Sequence, residues 1–290
     1  MKKIFLDNDS QLRSGWKIFI AFGVFLGLGF VLSLIVIILS DLLNIGTQIQ
    51  NSSLEKYIIL IITPLSMILS CLFFWKLLDK KPFKEMGMVG MKYGFKDFVI
   101  GLTMGALSIT GVFIILYLTG SVEIKGSLLE PYFSISLISY LILFILVGFG
   151  EEIFSRGYCI TVLKKKNNIW VAVFVSSILF SLLHYGNPNM CIVGYINIFC
   201  VGLLLAFMFL RSGNLWMPIG YHITWNYFQG NVYGFEVSGL PMEGIYRVVP
   251  VKSDILNGGD FGPEGGIVTT AILIIGFYVI WVFYRKKKQA

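Results

Sequence analysis

A chain of 290 residues that is 56% hydrophobic and 13% charged, with a mean hydropathy of +0.80, falls outside the soluble classes, whose domains carry about 25% charged residues. The composition predicts an all-α fold, a polytopic transmembrane helical bundle of about eight spans in a lipid bilayer. The net charge of +7 does not point to nucleic acid, because the basic residues cluster beside apolar runs, where they set topology.

In chain order the apolar segments are Trp16–Leu39, Tyr57–Leu78, Phe98–Leu118, Leu137–Leu163, Ile169–His184, Cys191–Leu210, Trp216–Gln229 and Ile267–Tyr284. The first is too long for a signal-peptide core and no small-residue cleavage site follows it, so it is expected to be a retained span. The seventh is the weakest, reaching only about 21 Å at 1.5 Å per residue. Lys2, Lys3, Arg13 and Lys17 precede the first segment. Lys80, Lys81, Lys84, Lys92 and Lys96 follow the second, Lys164 to Lys166 the fourth, Arg211 the sixth, and Arg285 to Lys288 the eighth. All fall on one side if every segment crosses, which predicts both termini in the cytosol. The long Gly230–Gly266 connection, with Pro241, Pro250 and Pro263, is expected to be mobile or a lid on the opposite side. The expected organisation is 1–136 as N-terminal spans, 137–229 as a catalytic core, and 230–290 as an extracytoplasmic loop and last helix.

Cys71, Cys159, Cys191 and Cys200 lie in or beside apolar segments with no metal-type spacing, and read as buried small hydrophobes. The chemistry concentrates elsewhere. Within the fourth segment stands Gly148-Phe-Gly-Glu151-Glu152-Ile-Phe-Ser-Arg156-Gly157, and ionisable groups inside a membrane-length helix point to function. Glu152 and Arg156 are four apart and can pair along one helix face. Glu151 lies about 100° around and has no partner on its own helix.

The chain has two histidines, and both lie in apolar segments: Phe180-Ser-Leu-Leu-His184, and His222-Ile-Thr-Trp-Asn226. Measured from the expected cytosolic boundary at 1.5 Å per residue, Glu151 lies about 18 Å deep, His184 about 22 Å, His222 about 14 Å and Asn226 about 20 Å. Four polar groups from three segments thus share one layer. A carboxylate beside an imidazole can deprotonate a water, and a second imidazole beside an amide can stabilise an oxyanion. Ser155, four residues after Glu151, would have a Glu rather than a His as its base and is the weaker nucleophile. Glu151, His184 and His222 would also make a three-ligand zinc site, so the cofactor reading is none or zinc.

The patterns EExxxR, FxxxH and HxxxN, as they stand at Glu151–Arg156, Phe180–His184 and His222–Asn226, resemble those of the CAAX protease and bacteriocin-processing (CPBP, or Abi) family, the type II CAAX prenyl endopeptidase-like membrane proteins. The resemblance runs from about Leu137 to Gln229. It implies an all-helical intramembrane endopeptidase with a cavity open to the cytosol. In that reading Glu151 and His184 activate water, His222 and Asn226 form the oxyanion hole, and Glu152 with Arg156 holds the architecture. The implied partners are a peptide or membrane-protein substrate and the lipid bilayer. The same resemblance admits a non-enzymatic scaffold or bacteriocin-immunity protein. A proton- or ion-coupled transporter would need paired repeats of broken helices, and the chain contains none.

Overall fold

The computed structural model describes residues 2–7, 11–43, 45, 53–164 and 168–285. Lys165, Lys166 and 286–288, part of the charge signal for topology, lie outside the described residues. The helices are α1 (Ser14–Leu42), α2 (Ser53–Leu77), α3 (Met91–Leu118), α4 (Ser136–Glu152, prolonged by a π-helical turn at Ile153–Ile160 and a last turn at Thr161–Leu163), α5 (Ile169–Leu183), α6 (Ile192–Ser212), α7 (Trp216–Tyr227) and α8 (Ile267–Phe283). Two short strands, β1 (Val122–Lys125) and β2 (Arg247–Pro250), pair antiparallel with Val122 opposite Pro250 and Lys125 opposite Arg247. The protein is an all-α polytopic bundle.

Contacts between helix ends show the alternation of direction. At one face, the Ser14 hydroxyl opening α1 donates to the Val162 carbonyl closing α4 (2.9 Å). There Lys17 also pairs with Asp79 just past α2 (2.5 Å), and Tyr284 past α8 donates to Asp97 in α3 (2.5 Å). At the opposite face, Tyr57 of α2 donates to the Ser139 carbonyl of α4, and Asn197 of α6 donates to the Gly266 carbonyl before α8 (2.9 Å). The strand pair ties the end of α3 to the 233–266 segment on that same face.

Among the described residues, five helical stretches are long and apolar enough to cross a membrane, and α5 and α8 are shorter apolar helices. In α1 the side chains are apolar nearly all round, with only Lys17, Ile18, Ala21 and Phe25 buried, as expected of a helix whose other faces meet lipid. The seventh segment differs from a full-length span. It is α7, only 12 residues long, and all but Thr224 and Tyr227 are buried. A helix surrounded by protein need not match the bilayer, because its neighbours rather than lipid solvate its ends.

Glycine sets how closely α7 is held. A Cβ at Gly101 of α3 would lie 2.1 Å from the Met217 carbonyl oxygen, and one at Gly105 would lie 2.2 Å from that of Tyr221. Reciprocally, a Cβ at Gly220 of α7 would lie 2.5 Å from the Phe98 carbonyl oxygen. Small residues four apart let two backbones touch, which drives helix association where lipid removes the hydrophobic force. Thr224 completes the seam by donating to the Leu102 carbonyl (2.8 Å).

Candidate functional site

Three helices, α4, α5 and α7, carry the polar groups that come together. α4 is held against α7 and α2 at the two glycines before the glutamates. A Cβ at Gly148 would meet Ile223 of α7 at 2.8 Å, and one at Gly150 would meet the Pro64 backbone of α2 at 2.8 Å. Directly after Glu152 the helix widens into the π turn, whose residues are all buried. The Glu152–Arg156 spacing predicts continuous α geometry here; π turns interrupt α-helices frequently at functional sites.

Glu152 is the hub. Its Oε1 accepts from Arg156 Nη1 at 2.7 Å, with both side chains fully buried, and lies 2.9 Å from His222 Nδ1. Since a carboxylate only accepts, Nδ1 carries a proton and Nε2 is the atom directed elsewhere. That Nε2 lies 3.8 Å from Glu151 Oε2, which is buried and has no hydrogen-bond partner among the described residues. Arg156 also donates to the Gly202 carbonyl of α6 (3.3 Å), so it reaches a further helix.

Phe180 separates the two imidazoles. The Arg156 guanidinium sits 4.2 Å over its ring, within cation–π range. His222 meets the ring edge-on at 6.2 Å and His184 lies 5.0 Å away. His184 caps α5, and its Nδ1 lies 2.9 Å from the Phe180 carbonyl. A carbonyl only accepts, so this contact too assigns the proton to Nδ1 and leaves Nε2 as an acceptor in the neutral ring.

Glu151, His184, His222 and Asn226 all line one cavity of about 880 Å³. Asn226 is buried and its amide has no hydrogen-bond partner among the described residues. His222 is drawn to the glutamates; Glu151 and His184 share the cavity wall but no ion pair within 4 Å joins them. The cavity continues between α1, α2 and α4 past Phe22, Pro64 and Phe144, and is closed at the strand-bearing face by Val237, Ser238, Leu240, Met242 and Glu264. The 233–266 segment is therefore a packed cover: Phe235, Val237, Val248 and Phe261 are buried.

Zinc ligation by Glu151, His184 and His222 does not fit this arrangement. Among the described residues no three His, Cys, Asp or Glu side chains converge as a metal group. Ser155, the weaker nucleophile candidate, is buried in the π turn and is not part of the cavity wall.

Three features escape a reading by spacing: the bond from Glu152 to His222, the Phe180 wedge, and the cover residues. The glycine pairs Gly101/Gly105 and Gly148/Gly150 were visible signals of close helix approach, without naming the partner. Residues 133–228 match the family model of the type II CAAX prenyl endopeptidase, Rce1-like. The match spans the three motifs and supports the family resemblance; in general terms it supports an intramembrane CAAX-type protease. No curated protein and no solved structure matches the chain.

Proposed function

We propose, from the Rce1-like match over 133–228 and the cavity just described, that the protein is an intramembrane endopeptidase acting on a peptide or membrane-protein substrate. One observation carries the reading: Glu151 of α4, His184 at the end of α5, and His222 and Asn226 of α7 line a single cavity inside the bundle. Glu151 is the general base. Its carboxylate takes a proton from a water that His184 Nε2 also holds, and the water oxygen attacks the scissile carbonyl carbon. Negative charge then develops on the carbonyl oxygen. The Asn226 amide donates to it, as does His222 Nε2–H in the imidazolium form, the only form in which both ring nitrogens donate. The proton held by Glu151 passes to the departing amine nitrogen, and the C–N bond breaks without a covalent intermediate.

The architecture supports this division of labour. Glu152 and Arg156 fix the His222 ring, while Glu151 lines the cavity and its Oε2 is committed to no hydrogen bond. The Lys/Arg bias supports both termini in the cytosol. Purified protein in detergent with a fluorogenic apolar peptide tests the reading. Wild type cleaves and Glu151→Gln does not; equal rates would overturn it.

A further inference from the structure

The cavity wall carries one charged group that this reaction scheme does not use. Glu264 lies at the covered end, immediately before α8, and lines the same cavity as Glu151. Its main chain is anchored, because Asn197 of α6 donates to its carbonyl at 2.8 Å. Its carboxylate is oriented as well. Both the Ser238 amide (2.6 Å) and the Ser238 hydroxyl (2.9 Å) donate to Oε2, and Oε1 has no hydrogen-bond partner among the described residues. Stapling the cover to α8 requires one acceptor oxygen, which a glutamine would supply equally well. The second oxygen and the negative charge are left for something else.

Among the described residues no lysine or arginine lines the cavity; its charged wall groups are the carboxylates of Glu151 and Glu264, with two histidines and otherwise polar or apolar side chains. A carboxylate on a largely apolar cavity wall is stabilised by an opposite charge brought beside it. The same field repels an anionic end, including a free C-terminal carboxylate near Glu264.

We propose that Glu264 is a specificity-determining residue that receives an alkylammonium or guanidinium group of an apolar peptide, with Ser238 fixing its carboxylate. This deepens the endopeptidase reading and rests on it for the word substrate. The cation is supplied either by a basic side chain or by a free N-terminus. The substrate class is then an apolar segment carrying one positive group on the side of the cut that lies toward the cover.

The test uses the full-length protein in detergent and four peptides of one apolar sequence: acetylated with Lys, acetylated with norleucine, acetylated with Glu, and norleucine with a free N-terminus. Binding is read by fluorescence anisotropy in the Glu151→Gln background, and cleavage in the wild-type background. The Lys peptide binds about tenfold tighter than the norleucine peptide, a modest charge-pair advantage, and the Glu peptide binds weakest. Adding Glu264→Gln, which keeps an acceptor for Ser238, reduces the Lys-to-norleucine ratio to about one, whereas Glu264→Asp retains a preference. Tight binding of the free-amine peptide alone identifies the N-terminus as the source; tight binding of the acetylated Lys peptide identifies the side chain. Equal binding of the acetylated Lys, the free-amine and the acetylated norleucine peptides, or a preference for a cationic peptide that survives Glu264→Gln, overturns the proposal. Cleavage without charge preference leaves the endopeptidase reading intact and removes the role of Glu264. Charge-selective binding without cleavage by wild type does the reverse.

Discussion

His222 Nδ1 lies 2.9 Å from Glu152 Oε1, so the imidazole on α7 is oriented by a carboxylate on α4. The same oxygen accepts from Arg156, and the three side chains form one buried unit across two helices. An ion pair that looks purely structural from its spacing therefore also determines which nitrogen of a cavity-lining histidine faces Glu151.

Disrupting that unit has two separable consequences. Arg156→Ala leaves the Glu152 charge buried without its partner and is expected to lower stability by about 3–5 kcal/mol, seen as a lower thermal midpoint in detergent. Glu152→Gln keeps the shape and an acceptor for His222 but removes the charge opposite Arg156. It is expected to lose both stability and cleavage. A fully stable Arg156→Ala protein would show that the pair is not structural.

Glu151→Gln is expected to abolish cleavage while expression and thermal midpoint stay close to wild type, since its Oε2 has no hydrogen bond to lose. His184→Ala is expected to come close to the same loss. Asn226→Ala removes one oxyanion donor and is expected to cost about 10²–10³ in rate. Single-turnover rates with one peptide rank the three; an Asn226→Ala loss as complete as that of Glu151→Gln would contradict the assigned roles.

The α3–α7 seam should control the site from a distance. Gly101→Ala and Gly105→Ala place a methyl 2.1 and 2.2 Å from backbone oxygens of α7. Overpacking of this kind typically costs about 1–3 kcal/mol, and moving α7 also moves His222 and Asn226. Both variants are expected to lower kcat/KM and the thermal midpoint. Gly27→Ala, where a Cβ meets nothing within 4 Å, is the control and should change neither.

Reporter fusions after Gly126 and after Asp254 are expected to read as extracytoplasmic, and fusions after Lys164 and at the C-terminus as cytosolic. The β1–β2 pairing requires the first two to agree, because both lie beside strands of one sheet. Opposite readings at those two positions would contradict the fold itself.

The membrane-embedded all-helical class was legible in the sequence because hydropathy is a local property: each apolar run reports its own burial in lipid, whatever its neighbours do. The Glu152–Arg156 spacing was legible for the same reason, since residues four apart meet on their own helix. The three motifs were legible as residue types able to hold and polarise water. What the tertiary structure alone decided are the contacts between segments far apart in the chain. Glu152 bonds His222 across 70 positions, and Gly101 and Gly105 set the closeness of α7. The Gly230–Gly266 connection, featureless by periodicity, becomes a cover because β2 finds its partner in β1 and Glu264 finds Ser238. Such pairings depend on how helices pack, and local hydrophobic pattern carries no record of which polar group will face which across the bundle.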